Sequence, residues 1–165
     1  MAPPDPIPPP SELRGKVLYV EDDPINMVLV ESTLQAFPGI TMIKAATGAE
    51  GIRLARTEWP DLVILDMHLP DMGGADVLQA LRGDESTRGV RVIALSASAM
   101  PEDIALARRH GACDYWTKPL DFTRFLNDIG TLLGRNCVCA APPAPPQPRP
   151  EVVAGSAGSC ASSSR

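Results

Sequence analysis

Carboxylates, one hydroxyl and one lysine stand directly after apolar runs in four separated stretches of the chain. Glu21, Asp22 and Asp23 follow Val17–Val20 (VLYV), Asp66 closes LVILD, Ser96 follows VIAL, and Lys118 with Pro119 follows ACDYWT. Each has an ordinary structural use. Asp22 can cap a helix, since acidic residues favour helix N-termini. Asp66 can cap a turn ahead of Pro70, Ser96 can be a turn hydroxyl, and Lys118 an exposed charge. Their conjunction says more. Carboxylates packed together repel and raise one another's pKa unless a cation is shared. Hard oxygen donors with few protein carboxylates suit Mg2+, which keeps waters and accepts a phosphoryl oxygen. An aspartate can be the nucleophile in phosphoryl transfer, giving an aspartyl phosphate. That chemistry asks for positioning and charge neutralisation more than for proton transfer. Lys118 offers a further positive charge and Ser96 a neutral donor.

These groups meet only if the apolar runs are strands whose carboxyl ends share one edge of a sheet. The runs are Val17–Val20, Ile40–Lys44, Leu62–Leu65, Val90–Leu95 and Ala112–Thr117. LVIL and VIAL are continuous rather than alternating, as expected of strands covered on both faces. Helical patterns fill 24–37, 48–58, 74–83, 101–110 and 121–133 between them. The first places Leu29, Val30, Leu34 and Phe37 on one stripe. The last places Phe122, Phe125, Leu126, Ile129, Leu132 and Leu133 at 3–4 spacing. Pro24 and Pro101 suit first helical turns, and Thr47 and Asp121 suit N-caps. Gly39 and Gly111 follow helix ends, where positive φ is often required. Five β–α units in a row build a parallel sheet with helices on both faces.

Composition bounds the rest. The 165 residues favour one domain. A net charge of −5 and the absence of a basic patch argue against nucleic-acid binding through phosphates. No apolar run approaches the length of a membrane span. The start, MAPPDPIPPP, lacks the charged and apolar regions of a signal peptide, so the cytoplasm is the expected compartment. Twelve of the 18 prolines lie in residues 1–14 and 136–165. Both segments are expected to be disordered or extended tails flanking a domain over 15–135. Cys137, Cys139 and Cys160 fall in the C-terminal tail without zinc-like spacing, and read as unpaired thiols in a reducing compartment. Only Cys113 lies in the patterned region.

The strings VLYVEDDPIN, DLVILDMHLPDMGG, VIALSASAM and DYWTKPLD resemble, in order and spacing, the four signature blocks of response-regulator receiver domains. The resemblance covers about residues 16–134. It implies a flavodoxin-like (βα)5 fold, with a doubly wound five-stranded parallel sheet of order 2-1-3-4-5. It makes Asp66 the phosphoacceptor, with Asp22 holding Mg2+ directly and Glu21 through water. The backbone carbonyl of His68 becomes a further ligand. Ser96 becomes the switch hydroxyl, Lys118 the phosphoryl-binding lysine before a cis Lys118–Pro119 bond, and Tyr115 an aromatic rotamer switch. Three positions depart from the usual pattern. Glu21 stands where aspartate is also common. Ser96 stands where threonine is usual, so its χ1 is less restrained. His68 lies two residues past Asp66, where its side chain can tune dephosphorylation or simply be an exposed loop histidine. His110 reads as a cation in the last turn of the fourth helix.

The implied function is a phosphorylation-controlled switch. A histidine kinase or histidine phosphotransfer protein donates the phosphoryl group, and an unidentified output protein reads the surface of helix 4, strand 5 and helix 5. The receiver itself is not expected to be an enzyme, although it promotes its own phosphorylation and dephosphorylation. An alternative is the receiver portion of a hybrid sensor kinase, although no kinase motifs are present. An aspartate-nucleophile phosphatase is more remote: that family carries a second aspartate where this chain has His68. After Arg135 nothing shows the periodicity of a DNA-binding output domain.

Overall fold

The computed structural model describes residues 13–134. The expectations placed on residues 1–12 and 135–165, including those for Cys137, Cys139 and Cys160, lie outside the described residues. Cys113 is disulfide-bonded.

Strands and helices alternate strictly: β1 (Gly15–Val20), α1 (Pro24–Leu34), β2 (Ile40–Ala45), α2 (Gly48–Glu58), β3 (Leu62–Asp66), α3 (Gly74–Gly83), β4 (Arg91–Ser96), α4 (Pro101–Arg109), β5 (Asp114–Thr117) and α5 (Phe122–Gly134). The five strands form one parallel sheet of order β2-β1-β3-β4-β5, the order of a flavodoxin-like α/β fold.

The two-residue period of the strands divides the core. Val17, Tyr19, Leu62, Ile64, Ile93, Leu95 and Trp116 face Val30 and Leu34 of α1 and Phe125 and Ile129 of α5. Leu18, Val20, Val63, Leu65, Val92, Ala94 and Tyr115 face Ala55 of α2, Val77, Leu78 and Leu81 of α3, and Ala107 of α4. Every residue of β3 is buried, which is why its sequence shows no alternation. Leucine or isoleucine to alanine in such a strand costs about 2–5 kcal/mol.

Local chemistry sets most boundaries as expected. Thr47 caps α2, its hydroxyl accepting from Glu50 N at 3.2 Å. Asp121 accepts from Thr123 N and Arg124 N at the start of α5. Pro24 and Pro101 occupy first helical turns. Gly111 has φ +100°, as its place after α4 requires. Gly39 does not adopt positive φ; it is needed for space, because a Cβ there would lie 2.2 Å from the Leu13 carbonyl oxygen. Leu13 itself is buried.

Two expectations for α1 change. The helix stops at Leu34, before Phe37, and Leu29 is 46% exposed rather than part of the buried stripe. Leu29 precedes Val30 by about 100° of helical rotation, which turns it off the face that meets the sheet.

Candidate phosphoryl-acceptor site

Register brings the separated groups together. Val20 pairs with Leu65, so Glu21 and Asp66 extend side by side. Asp66 pairs with Leu95, placing Ser96 one step beyond. Ser96 pairs with Thr117, placing Lys118 one step beyond that. Four chain segments thus deliver their polar groups to one edge of the sheet, where the apolar runs end.

Asp66 is 3% exposed. Its Oδ1 accepts from His68 N at 3.0 Å and its Oδ2 from Lys118 Nζ at 2.9 Å. The turn role weighed for Asp66 is therefore present, and it leaves the second oxygen facing the lysine. Glu21 is 1% exposed. Its Oε2 accepts from Lys118 Nζ at 2.8 Å, Tyr19 Oη at 3.0 Å and Asn26 Nδ2 at 3.5 Å, and its Oε1 from Asp23 N at 3.2 Å. Such a carboxylate is well supplied with donors, which offsets the cost of burying it.

Asp22 is exposed. The capping role weighed for it belongs to Asp23, whose Oδ1 accepts from Ile25 N at 2.8 Å. One carboxylate oxygen each from Glu21, Asp22 and Asp66 lie within 4.8 Å of one another, a group that can hold a metal ion. The exposed Asp22 and the nearly saturated Glu21 differ in what they offer such an ion.

Lys118 is not a surface charge. Burial opposes its ionisation, but the hydrogen bonds and negative charges of Glu21 and Asp66 outweigh this and hold its pKa above the ordinary value. The Lys118–Pro119 peptide is cis, as the resemblance implies.

Ser96 is buried, with Oγ accepting from Ser98 N at 3.1 Å. Tyr115 is 7% exposed, and its hydroxyl donates to the Ser98 carbonyl at 2.7 Å. That hydrogen bond ties Tyr115 to the loop between β4 and α4. His68 is exposed and forms an isolated bridge with Gly73. His110 caps the C-terminus of α4.

Two residues of this edge escaped the sequence reading. Tyr19 and Asn26 both donate to Glu21. The signal for Tyr19 was available: it lies two residues before Glu21, hence on the same side of an extended strand. Burial and the Glu21 charge push the Tyr19 phenol pKa upward, so it remains a donor at neutral pH. Asn26 lies in the first turn of α1, and only the entry angle of that helix aims it at Glu21.

Comparison with known proteins points the same way. Residues 17–130 match the response regulator receiver domain. The polar-differentiation response regulator DivK of Brucella ovis is 37% identical over 122 residues, covering 74% of this chain and 98% of DivK. The receiver domain of sensor histidine kinase PA1611 from Pseudomonas aeruginosa, solved with a magnesium ion coordinated in its active-site cleft, superposes with TM-score 0.67. It is 28% identical, and the match covers 74% of this chain and 99% of that one. The chemotaxis response regulator CheY4 of Vibrio cholerae gives 0.67 at 27% identity, over 73% and 99% of the two chains. With its strand order, its acidic cleft and its match over residues 17–130, the chain belongs to the response regulator receiver domains of two-component signalling.

Proposed function

We propose that this receiver accepts a phosphoryl group on Asp66 from the phosphohistidine of a histidine kinase or histidine phosphotransfer protein. One observation carries the reading: Lys118 Nζ bridges Glu21 and Asp66 beside Asp22, at the meeting point of four strand ends. A carboxylate oxygen of Asp66 forms the new bond to phosphorus, and the donor's P–N bond breaks, returning a neutral or protonated imidazole. Lys118 meets the charge of the transferred group. Ser96 Oγ donates to one phosphoryl oxygen after releasing its contact with Ser98.

The donor set fits Mg2+: hard carboxylate oxygens, one of them exposed, leaving positions for water and phosphoryl oxygen. Asp22 and Asp66 would hold the ion directly, Glu21 through water, and the His68 carbonyl would complete the protein ligands. Bound there, Mg2+ neutralises charge on the phosphoryl oxygens. The exposed His68 side chain stands where it can tune dephosphorylation. Tyr115 couples the site to the surface of α4, β5 and α5, where the output protein binds.

Incubation with acetyl phosphate and Mg2+ should add one phosphoryl mass, and Asp66→Asn should abolish it. Undiminished labelling of that variant overturns the reading.

A further inference from the structure

The loop between β3 and α3, residues 67–73, carries His68. Its neck is closed by Gly74 N donating to the Met67 carbonyl at 3.0 Å and by the His68–Gly73 bridge. Its first turn is keyed to Asp66 through His68 N. The far side of the loop is fastened elsewhere. Asp71 Oδ1 accepts from Gly48 N at 2.8 Å and Oδ2 from Ala49 N at 2.9 Å.

Those two N–H groups belong to the first turn of α2, where no intrahelical acceptor exists. The helix already has its own reciprocal cap: Thr47 Oγ1 takes Glu50 N, and Glu50 Oε2 takes Ala46 N at 2.9 Å. Asp71 takes the next two donors from outside. Each is a charge-assisted bond to a donor favoured by the helix dipole. The neighbouring Met72 closes on α2 as well, since a Cβ on Gly48 would lie 2.5 Å from Met72 Cγ. Asp71 is exposed and adds nothing to the core. What it adds is a fixed distance between the acceptor loop and a rigid helix.

We propose that Asp71 is a positioning residue for phosphoryl transfer, pinning the β3–α3 loop to the N-terminus of α2 so that the His68 carbonyl is preset beside Asp66. This rests on the reading of Asp66 as acceptor and of the acidic group as the Mg2+ site. Groups that orient metal ligands typically cost 10–100-fold in metal affinity when removed. An exposed tie acting through three residues of loop belongs at the lower end of that range.

The test is calorimetric titration of Mg2+ into wild type, Asp71→Ala, Asp71→Asn and Thr47→Ala, with melting curves for each. Thr47→Ala weakens α2 through its own cap and leaves the loop tie in place. Asp71→Ala should bind Mg2+ about tenfold more weakly, and Asp71→Asn, which keeps one acceptor, should fall between it and wild type. Thr47→Ala should retain wild-type affinity although it melts lower. Amide exchange over residues 67–73 should quicken in Asp71→Ala alone. Wild-type affinity in Asp71→Ala, or an equal loss in Thr47→Ala, overturns the positioning role while leaving the acceptor assignment standing. A wild-type protein that binds no Mg2+ and takes no phosphoryl group from acetyl phosphate overturns both.

Discussion

Lys118 Nζ lies 2.8 Å from Glu21 Oε2, joining residues 97 apart in sequence. The Glu21 side chain of this pair is fully buried, and that of Lys118 is mostly so. The same amine holds Asp66. One cation therefore serves two buried carboxylates that would otherwise repel.

Removing that cation should be felt first as instability. Lys118→Ala leaves Glu21 and Asp66 facing each other without compensation. Breaking a buried pair costs about 3–5 kcal/mol, and the partial exposure of Lys118 reduces this to about 2 kcal/mol. Urea unfolding without Mg2+ measures the loss, and millimolar Mg2+ should restore part of it by mass action. Phosphorylation at Asp66 should persist but slow. Unchanged stability with and without Mg2+ would contradict the compensation.

Tyr19→Phe deletes a single oxygen. Glu21 Oε2 loses a buried donor and keeps Lys118 and Asn26. Hydrogen bonds to charged groups contribute about 1.5–3 kcal/mol, so a loss of about 2 kcal/mol is expected in urea unfolding. An equally stable variant would show that the phenol hydroxyl is incidental.

Arg82 has no carboxylate partner among the described residues. It donates through Nη1 to the Arg88 and Val90 carbonyls at 2.9 and 2.7 Å, and through Nε and Nη2 to the Gly111 carbonyl at 3.2 and 2.7 Å. Burial pushes its pKa down from the usual guanidinium value. One side chain thus ties α3 to the entry of β4 and to the turn before β5. Arg82→Ala should cost about 3 kcal/mol. Arg82→Lys should recover less than half of it, because an ammonium group lacks the planar fork.

Trp59 closes α2 in the left-handed region, φ 53° and ψ 57°, with its side chain 68% exposed. A side chain there costs about 1–2 kcal/mol in backbone strain, and glycine does not carry that cost. Trp59→Gly should raise stability by about 1 kcal/mol after allowing for the freer unfolded chain. A lower melting temperature would mean that the indole contributes packing beyond its exposure.

Acid should weaken the fold through two loop carboxylates. Hydrogen bonds from Ala49 N and Gly48 N lower the Asp71 pKa, and those from Ser86, with the Arg56 guanidinium, lower that of Asp84. A depressed folded-state pKa means stability that is fully present above the unfolded-state value and lost as pH falls through the folded-state value. Melting curves of wild type and Asp71→Asn/Asp84→Asn should differ at pH 6, and the gap should close as the pH falls below the ordinary aspartate range. A gap that widens in acid would reverse the sign of the argument.

The sequence by itself determined the order of the elements and the identity of the groups after the strands. Continuous runs such as LVIL have room only inside a sheet covered on both faces, and in a parallel sheet the residues closing such strands share one edge. Glu21, Asp66, Ser96 and Lys118 were therefore legible as a set. Tertiary structure alone decided how they are wired. Whether Leu29 faces the core or solvent, whether Gly39 is needed for φ or for space, and whether Asp22 or Asp23 caps α1 depend on helix rotation and chain approach. The grip of Asp71 on α2 joins segments more than twenty residues apart, and Lys118 reaches Glu21 across two intervening strands. Local propensity carries no information about such distances, because they are set when helices dock on the sheet and fix its register.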